Sequence, residues 1–478
     1  MPLILPGNVA SATAAADVVT NSCRFNQADG AFMSRTIGTP TDEDVWTFSV
    51  WLKVAGDAPS NLYGILSAGD YSDPYEMIQL TDGQLFVHTN DGGAADHGST
   101  KYAGIIRDPS AWYSLVVSRN GTAGKIYVNG TDVTTTNSAF NNSSNTINKS
   151  GGTLRVGHSE RERTGQSWNG YMAEAVFIDG QALTPTSFGE FNSDTPTVFQ
   201  PIDVSGLTFG DNGFYLDVED SGDLGDDESG NGNDFTETNL AAADQATDTP
   251  TNNFATLNPL MVPTANAPTF SEGNCKTTTN DSALHQGYST IAVTKGKWYA
   301  ECKRVSQNSG TADDGLRIGI GVSNHINMET NPVSADDTGH YIMIGNGTVY
   351  NGSNDLGDKA GDSLISDDEI VGIALDLDND RISWASNNVW MTGSDAWSGS
   401  SPASYVTLTD PDNTDAGYFF ISTDGSTARG YTTAWNFGGC SAFAISSAAA
   451  DENGYGTFEF APPSGYLALC TKNLATDG

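Results

Sequence analysis

The chain has 478 residues, which is longer than one hydrophobic core usually supports, so about two or three domains are expected. Gly, Asn, Asp, Ser and Thr are abundant, which favours short strands and many turns over helices. Acidic residues outnumber basic ones by 59 to 21, and a net charge of -38 would repel the phosphates of nucleic acid and anionic lipid headgroups. We therefore expect no nucleic-acid partner, and no membrane insertion is expected because no stretch approaches the ~20 apolar residues of a membrane helix.

Residues 21–210 are predicted to form a first antiparallel β-sandwich. Runs such as Trp46-Thr-Phe-Ser-Val-Trp-Leu52 and Tyr113-Ser-Leu-Val-Val-Ser118 alternate between turn clusters in a way that is typical of sandwich strands. The segment Lys125-Ile-Tyr-Val-Asn-Gly130 ends in Asn-Gly, and both residues tolerate the positive φ angles of a type I′ hairpin turn. Residues 1–20 lie outside this strand series, and we expect them to form a separate arm.

Hydrophobicity falls between residues 211 and 270, where acidic, Gly-rich and Asn-rich runs leave little apolar surface to bury. We expect an acidic connector there, partly packed on the first sandwich, because Gly213-Phe-Tyr-Leu-Asp-Val218 could return to it as a strand. Strands resume after residue 271, for example Lys297-Trp-Tyr-Ala-Glu-Cys302 and Gly417-Tyr-Phe-Phe-Ile421. Residues 271–478 are therefore predicted to form a second sandwich, and the fold class is all-β with two jelly-roll domains in tandem.

Cysteine usage indicates no metal or redox centre. The five cysteines are widely spaced and include no C-x-x-C pair. They are Cys23, Cys275, Cys302, Cys440 and Cys470. The opening residues lack the basic region and the length of an export signal, so we expect buried thiols, with a disulfide between the last two cysteines as the alternative.

The first sandwich resembles the laminin G and concanavalin A-like lectin/glucanase superfamily. The resemblance rests on Trp112-Tyr-Ser-Leu-Val-Val-Ser118, Lys125-Ile-Tyr-Val-Asn-Gly130, Leu154-Arg-Val-Gly157 and Asn169-Gly-Tyr-Met-Ala-Glu-Ala-Val-Phe-Ile178, in that order. It implies a two-sheet jelly roll whose concave face or rim loops bind sugars or proteins, in some members with calcium.

The second sandwich resembles a SPRY domain. The motifs are Gly296-Lys-Trp-Tyr-Ala-Glu301, Arg317-Ile-Gly-Ile-Gly-Val-Ser323, Val371-Gly-Ile-Ala-Leu-Asp-Leu-Asp378, Ile382-Ser-Trp384 and Trp435-Asn-Phe-Gly438. Asn387-Asn388 stands where such domains usually have Asn-Gly. The resemblance implies a second β-sandwich.

Two other stretches resemble structural proteins of marine tailed phages. They are the opening Met1-Pro-Leu-Ile-Leu-Pro-Gly-Asn-Val-Ala-Ser-Ala12 and the block from Phe177 to Pro259. The resemblance implies a virion protein made in the bacterial cytoplasm, either a tail fibre, a spike or a head decoration. The arm would then attach the chain to other virion proteins, and a homo-oligomer, as a trimer, is expected because multivalency strengthens weak binding.

Catalytic motifs are absent from the sequence. Retaining glucanases of the concanavalin A-like superfamily carry two carboxylates at alternate positions of one strand, about 5 Å apart, and no Glu-x-Asp-x-x-Glu run occurs here. The nearest candidate, Glu160-Arg-Glu162, is interleaved with arginines and indicates a solvated turn. No G-x-S-x-G motif occurs, and the six histidines are not paired at metal-ligand spacing.

Candidate binding residues come from turn-rich segments. Aromatic side chains on loops can stack on sugars, although core packing is the alternative for any aromatic residue. The candidates for ligand binding are Tyr71, Tyr75, Tyr350, Trp390 and Trp397. Clustered carboxylates could bind calcium, although neither cluster matches an EF-hand loop and solvated acidic loops are the alternative. The calcium candidates are Asp217, Asp220, Asp223, Asp376, Asp378 and Asp380, and no other cofactor is expected.

The sequence therefore favours a phage tail fibre or adhesin that binds a host surface glycan or protein without catalysing a reaction. Two alternatives stay open. One is a capsid decoration protein without receptor binding, and the other is a polysaccharide depolymerase whose site is shared between chains.

Overall fold

The computed structural model describes residues 18–56, 62–69, 74–90, 96–135, 138–140, 147–159, 166–262, 267–279, 285–307, 315–322, 339–359, 365–392, 397–409, 417–424 and 430–478. These residues form two compact units, 18–251 and 252–478, which we call the N-terminal and C-terminal units. Both units are built almost entirely of antiparallel sheets, which confirms the predicted all-β fold. Among the described residues, no helix has the length and apolar character needed to span a membrane.

The N-terminal unit contains strands and single-turn 3-10 helices. The strands are β1 (Ser22–Phe25), β2 (Phe32–Thr36), β3 (Val45–Val54), β4 (Leu62–Gly69), β5 (Tyr75–Thr81), β6 (Gln84–Asn90), β7 (Asp96–Lys101), β8 (Trp112–Asn120), β9 (Ala123–Val128), β10 (Thr131–Asp132), β11 (Thr153–Val156), β12 (Gly170–Asp179), β13 (Gly189–Phe191), β14 (Phe199–Pro201), β15 (Phe214–Leu216), β16 (Thr236–Thr238) and β17 (Gln245–Ala246). The 3-10 helices are Gln27–Asp29, Ser138–Phe140, Pro185–Ser187 and Ala242–Asp244.

Two sheets enclose the core of the N-terminal unit. One has the strand order β10-β9-β8-β3-β12-β1-β17, with β15 also paired to β12, and the other has the order β16-β2-β11-β4-β5-β6-β7. Alternate residues of each strand point inward, as Trp46 and Phe48 do from β3 and Leu66 and Ile78 from the facing sheet. The predicted hairpin is present, since Asn129 and Gly130 have φ angles of 47° and 75° between β9 and β10.

Residues 211–251 belong to the N-terminal unit, and β15 lies within the segment Gly213–Val218 that was predicted to return to the first sandwich. Strands β15, β16 and β17 each pair with a strand of the sandwich, and Phe214 and Phe235 lie in its core. The segment folds despite its low hydrophobicity because its polar side chains bind its own backbone. Asp227, for example, accepts hydrogen bonds from the backbone N–H groups of Tyr215 and Asn233 at 2.9 and 2.8 Å.

Residues 18–20, which were expected to belong to the arm, also pack on the N-terminal unit. Val19 is buried beside Trp51 and Phe199, and its backbone oxygen accepts a hydrogen bond from the Thr251 hydroxyl at 2.6 Å. Residues 1–17 of the predicted arm lie outside the described residues.

The C-terminal unit contains the remaining strands and one α-helix. The strands are β18 (Thr269–Ser271), β19 (Lys276–Thr278), β20 (Gln286–Tyr288), β21 (Lys297–Gln307), β22 (Leu316–Val322), β23 (Tyr341–Ile344), β24 (Thr348–Asn351), β25 (Asn354–Asp358), β26 (Ile370–Asp376), β27 (Arg381–Ser386), β28 (Val389–Met391), β29 (Trp397–Gly399), β30 (Val406–Thr407), β31 (Tyr418–Asp424), β32 (Tyr431–Asn436) and β33 (Leu467–Ala468). The helix is α1 (Thr471–Asp477).

Two sheets also enclose the core of the C-terminal unit. The larger has the order β18-β19-β32-β21-β26-β27-β28-β29, with β30 and β33 added at β27 and β21, and the smaller has the order β20-β31-β22-β23-β24-β25. Trp298, Trp384 and Trp435 of the larger sheet pack against Ile318 and Phe420 of the smaller one. Residues 252–262, part of the expected connector, belong to this unit, where Leu257 is a core residue.

Candidate functional site

The outer face of the seven-stranded sheet in the N-terminal unit is polar but covered. Ser67, Met77 and His88 lie side by side on β4, β5 and β6. The Ser67 hydroxyl donates to the backbone oxygen of His158 at 2.8 Å, and the Ser159 hydroxyl lies 3.2 Å from the Met77 sulfur. The chain itself therefore covers this face around Ser67 and Met77. The sequence candidate Glu160-Arg-Glu162 follows directly and lies outside the described residues.

The structure corrects two of the five aromatic candidates. Tyr75 is 4% exposed on β5, where its ring stacks on His88, and Trp390 is 2% exposed on β28, where it packs on Tyr299. Both positions were expected to be loops because Gly, Asp and Ser surround them, but strand pairing buries them. They are core residues and are unavailable for stacking on a ligand.

The other aromatic candidates are not brought together. Tyr350 is half-buried on β24 of the smaller sheet, whereas Trp397 is half-buried on β29 of the larger sheet and packs against the core. Tyr71 lies outside the described residues. The aromatic candidates that the structure describes therefore form no common platform.

The first group of calcium candidates does not form a metal site. Asp217 accepts a hydrogen bond from the backbone N–H of Glu219 at 3.0 Å, and Asp220 accepts one from Gly222 at 2.7 Å. Asp223 lies near Glu237, and burial together with this neighbouring carboxylate raises its pKa. Asp217 and Asp220 thus stabilise their own turns by accepting local backbone hydrogen bonds. No group of three potential metal ligands occurs among the described residues.

The second group of calcium candidates, Asp376, Asp378 and Asp380, also forms no cluster of metal ligands among the described residues. Strand β26 ends at Asp376, so Asp378 and Asp380 lie in the following turn and do not continue the alternation of the strand. Asp376 is buried and accepts hydrogen bonds from Asn379 and Arg381, the latter at 2.9 Å. Asp378 accepts a hydrogen bond from the backbone N–H of Gly296 at 3.0 Å. Arg381 therefore provides the cation that balances Asp376.

Among the described residues, Glu174 of the N-terminal unit and Glu301 of the C-terminal unit are buried glutamic acids with a raised pKa. Glu174 is 6% exposed at a bulge of β12, has a φ of 52°, and accepts a hydrogen bond from the Tyr215 hydroxyl at 3.0 Å. Burial, with the nearby charges of Asp217 and Glu219, raises its pKa to about 8.

Glu301 on β21 differs because it accepts four hydrogen bonds. They come from the Tyr299 hydroxyl, the Asn436 amide and the backbone N–H groups of Glu459 and Phe460, at 2.8 to 3.2 Å. Burial nevertheless raises its pKa to about 7. The acid ties residues 459–460 to the larger sheet, which is a structural role.

A cleft lies between the two sheets of the C-terminal unit, at the end formed by β19, β32, β20 and β31. Its side chains are mostly hydroxyl-bearing, and Thr277, Ser422 and Thr433 are linked to one another across the sheets. The Thr277 and Thr433 hydroxyl oxygens are 2.7 Å apart, and the Trp435 indole N–H donates to Ser422 Oγ at 3.1 Å. The cavity measures about 10 Å³, which is room for about one water molecule or one hydroxyl group.

His285 and Asp424 form the titratable part of this cleft. His285 Nδ1 lies 2.9 Å from Asp424 Oδ2, and both side chains are at most 2% exposed. The backbones also pair, since the Asp424 N–H donates to the His285 oxygen at 3.1 Å. Within the described part of the chain, this is the one side-chain hydrogen bond that His285 makes, so its Nε2 has no partner.

Sequence reasoning missed this pair because 139 residues separate its members. No local spacing motif can connect them. The sequence did contain one indication of the pair. Phe420, Ser422 and Asp424 alternate along β31, so polar residues follow an apolar one on the face of this strand that points to the core. An inward carboxylate at the end of a core strand requires a partner from another strand.

One known family model matches part of the N-terminal unit. Residues 28–187 match the laminin G model of the concanavalin A-like lectin/glucanases superfamily. The matched residues run from the first 3-10 helix to the end of the third and so include β2 to β12. Residues 28–187 of the N-terminal unit are therefore similar to the laminin G type of concanavalin A-like lectin domain.

The more distant comparisons are with solved structures. The SPRY domain of human HERC1 is 14% identical with a TM-score of 0.26, and covers 39% of this chain and 99% of its own. A putative carbohydrate binding protein from Bacteroides ovatus is 14% identical with a TM-score of 0.31, over 46% of this chain and 60% of its own. A heptameric SAP-like pentraxin from Limulus polyphemus is 16% identical with a TM-score of 0.27, and the match covers 36% of this chain and 80% of the pentraxin chain. No curated protein matches the sequence.

Proposed function

We propose that this chain is a virion protein of a tailed bacteriophage that attaches to a glycan on the host surface and catalyses no reaction. The observation that carries the proposal is the match of residues 28–187 to a lectin-like superfamily on a complete two-sheet sandwich. Binding of a neutral surface sugar is also compatible with the net charge of -38, which opposes phosphate-rich partners.

The assignment to a virion rests on the sequence resemblance of residues 1–12 and 177–259 to phage structural proteins. In this proposal, residues 1–17 attach the chain to other virion proteins. In this proposal the arm ends at residue 17, because Val19 and Thr20 contact the N-terminal unit. A homotrimer would allow several weak sites to act together at effective concentrations of about millimolar.

The first experiment separates glycan binding from a purely structural role. The full chain is applied to an array of bacterial surface polysaccharides, and a restricted set of positive glycans is expected. The same chain is incubated with each positive polysaccharide while viscosity and reducing ends are measured. No bound glycan would favour a decoration protein, whereas a falling viscosity would favour a depolymerase, and either result would contradict the proposal.

The second experiment tests the virion assignment. Antibodies against the chain should label purified phage particles, and a chain lacking residues 2–17 should fold normally but fail to enter the particle. Multi-angle light scattering should give the mass of a trimer. Normal incorporation of the shortened chain would refute the role of the arm, and a monomer in solution and on the particle would refute the trimer.

A further inference from the structure

We propose that the cleft between the sheets of the C-terminal unit binds one hydroxyl group of a neutral sugar, with His285 Nε2 accepting the hydroxyl hydrogen. The proposal rests on the proposed function for the class of ligand. The cleft itself is defined by geometry, since hydroxyl groups, an imidazole and a carboxylate surround a space for about one hydroxyl group.

Asp424 determines which hydrogen bond His285 can make. A carboxylate accepts hydrogen bonds, so Nδ1 must carry the hydrogen that it donates to Asp424 Oδ2 at 2.9 Å. In the neutral imidazole, Nε2 is then an acceptor. His285 is 2% exposed and lines the cleft, and its Nε2 has no hydrogen-bond partner among the described residues. A sugar hydroxyl supplies a donor for Nε2 and can accept in turn from a threonine hydroxyl.

The charges at the cleft favour neutral sugars over acidic ones. Among the described residues that line it, Asp424 is the one carboxylate, and no lysine or arginine occurs. Arg317 is near Asp424, but it follows the inward-facing Leu316 on β22 and therefore lies on the other face of the smaller sheet. A sugar carboxylate would thus meet the carboxylate of Asp424, with no lysine or arginine among the described lining residues to offset the repulsion.

Gly287 keeps the cleft open. It lies on β20 opposite Ser422, and a Cβ atom there would meet the Thr277 methyl group at 3.6 Å and Leu257 Cδ1 at 3.9 Å. These are ordinary contact distances, and the backbone at Gly287 is not in the left-handed region. Gly287→Ala should therefore be tolerated, whereas the longer side chain of Gly287→Leu would occupy the space between the sheets.

The test uses nuclear magnetic resonance of the full chain labelled with ¹⁵N at histidine. The chain has six histidines, so the imidazole signals can be resolved, and His285 is assigned by its loss in His285→Gln. Methyl glycosides of glucose, galactose, mannose and N-acetylglucosamine are titrated, with glucuronic acid and sialic acid as the acidic comparisons. We expect a saturable shift of the His285 Nε2 signal with at least one neutral sugar, and none with the acids.

Gly287→Ala adds one methyl group to a space for about one hydroxyl group and should weaken this response, and Gly287→Leu should weaken it at least about tenfold. Should Gly287→Leu melt early, His285→Gln serves instead, with binding observed on the sugar by saturation transfer. An unchanged response in folded Gly287→Leu, or no His285 shift with any sugar, would overturn the proposal. Glycan-array binding that persists in Gly287→Leu would leave the proposed function intact with its site elsewhere. A His285 response without any array signal would refute the adhesin function alone.

Discussion

Replacing Glu174 by Gln should stabilise the N-terminal unit at neutral pH. The carboxyl group is buried at a strand bulge, has the Tyr215 hydroxyl as a hydrogen-bond donor, and lies near the charges of Asp217 and Glu219. Burial raises the pKa of Glu174 from 4.5 to about 8, so the folded unit keeps the group protonated at pH 7 while the unfolded chain ionises it.

The sign and the size of the stability change in Glu174→Gln follow from the difference in proton binding between the folded and unfolded states. Between pH 4.5 and 8 the folded state binds more protons than the unfolded state, so stability falls as the pH rises through this window. At pH 7, which is about 2.5 pH units above the ordinary pKa of 4.5, the free energy of unfolding is lowered by about 3 kcal/mol. Gln cannot ionise, and its amide oxygen can still accept the hydrogen bond from Tyr215. We therefore expect Glu174→Gln to match the natural chain at pH 4 and to exceed its stability by about 3 kcal/mol at pH 7.

Thermal unfolding of the full chain, followed from pH 4 to 8.5, measures this effect. For a unit of this size, about 3 kcal/mol corresponds to a rise in Tm of about 6 to 12 °C for the transition of the N-terminal unit. Glu190→Gln is the matched control, because Glu190 is an exposed acid of the same unit on β13 and should shift Tm little at any pH. Parallel pH profiles for Glu174→Gln and the natural chain would refute the reasoning.

Three further predictions follow from the described contacts. Glu301→Ala should destabilise the C-terminal unit by at least about 3 kcal/mol in urea unfolding, because four donors lose their acceptor; a smaller loss would argue that water replaces the carboxylate. Trp390→Ala should cost about 3 to 5 kcal/mol in the same assay, and Tyr350→Ala much less, since only Trp390 is fully buried; equal losses would contradict the burial argument. Calcium added to chelator-treated protein should leave Tm unchanged, because Asp217 and Asp220 already accept backbone hydrogen bonds; a rise that depends on calcium concentration would restore the calcium hypothesis.

The strands could be predicted because their residues alternate within short distances along the chain. Trp46–Leu52 lies in β3, and the Asn129-Gly130 turn has the positive φ angles that the residue types required. A second hairpin follows the same rule, since Asn387 and Asn388 have φ angles of 44° and 65° between β27 and β28. Asparagine tolerates the left-handed region well enough to replace the glycine that is usual there.

The cleft could not be predicted because its residues come from separate strands. Thr277 and Thr433 are 156 residues apart, and neither differs in its local sequence from threonines of ordinary strands. The aromatic candidates failed for a related reason. Composition alone placed Tyr75 and Trp390 in loops, whereas pairing with neighbouring strands decides whether such a ring is buried.

The acidic residues show why composition misled the interpretation of residues 211–270. Asp179 is buried and accepts hydrogen bonds from the backbone N–H groups of Thr41 and Asn212 at 2.6 and 3.1 Å and from the Asn148 amide at 2.7 Å. Asp227 has the same role within the acidic segment. A carboxylate with several backbone donors satisfies loops that have few apolar side chains, because charged acceptors form stronger hydrogen bonds than neutral ones. A high content of Asp and Asn can therefore mark a tightly folded β-sandwich loop as readily as a solvated connector, and the two differ only in which backbone groups the side chains reach.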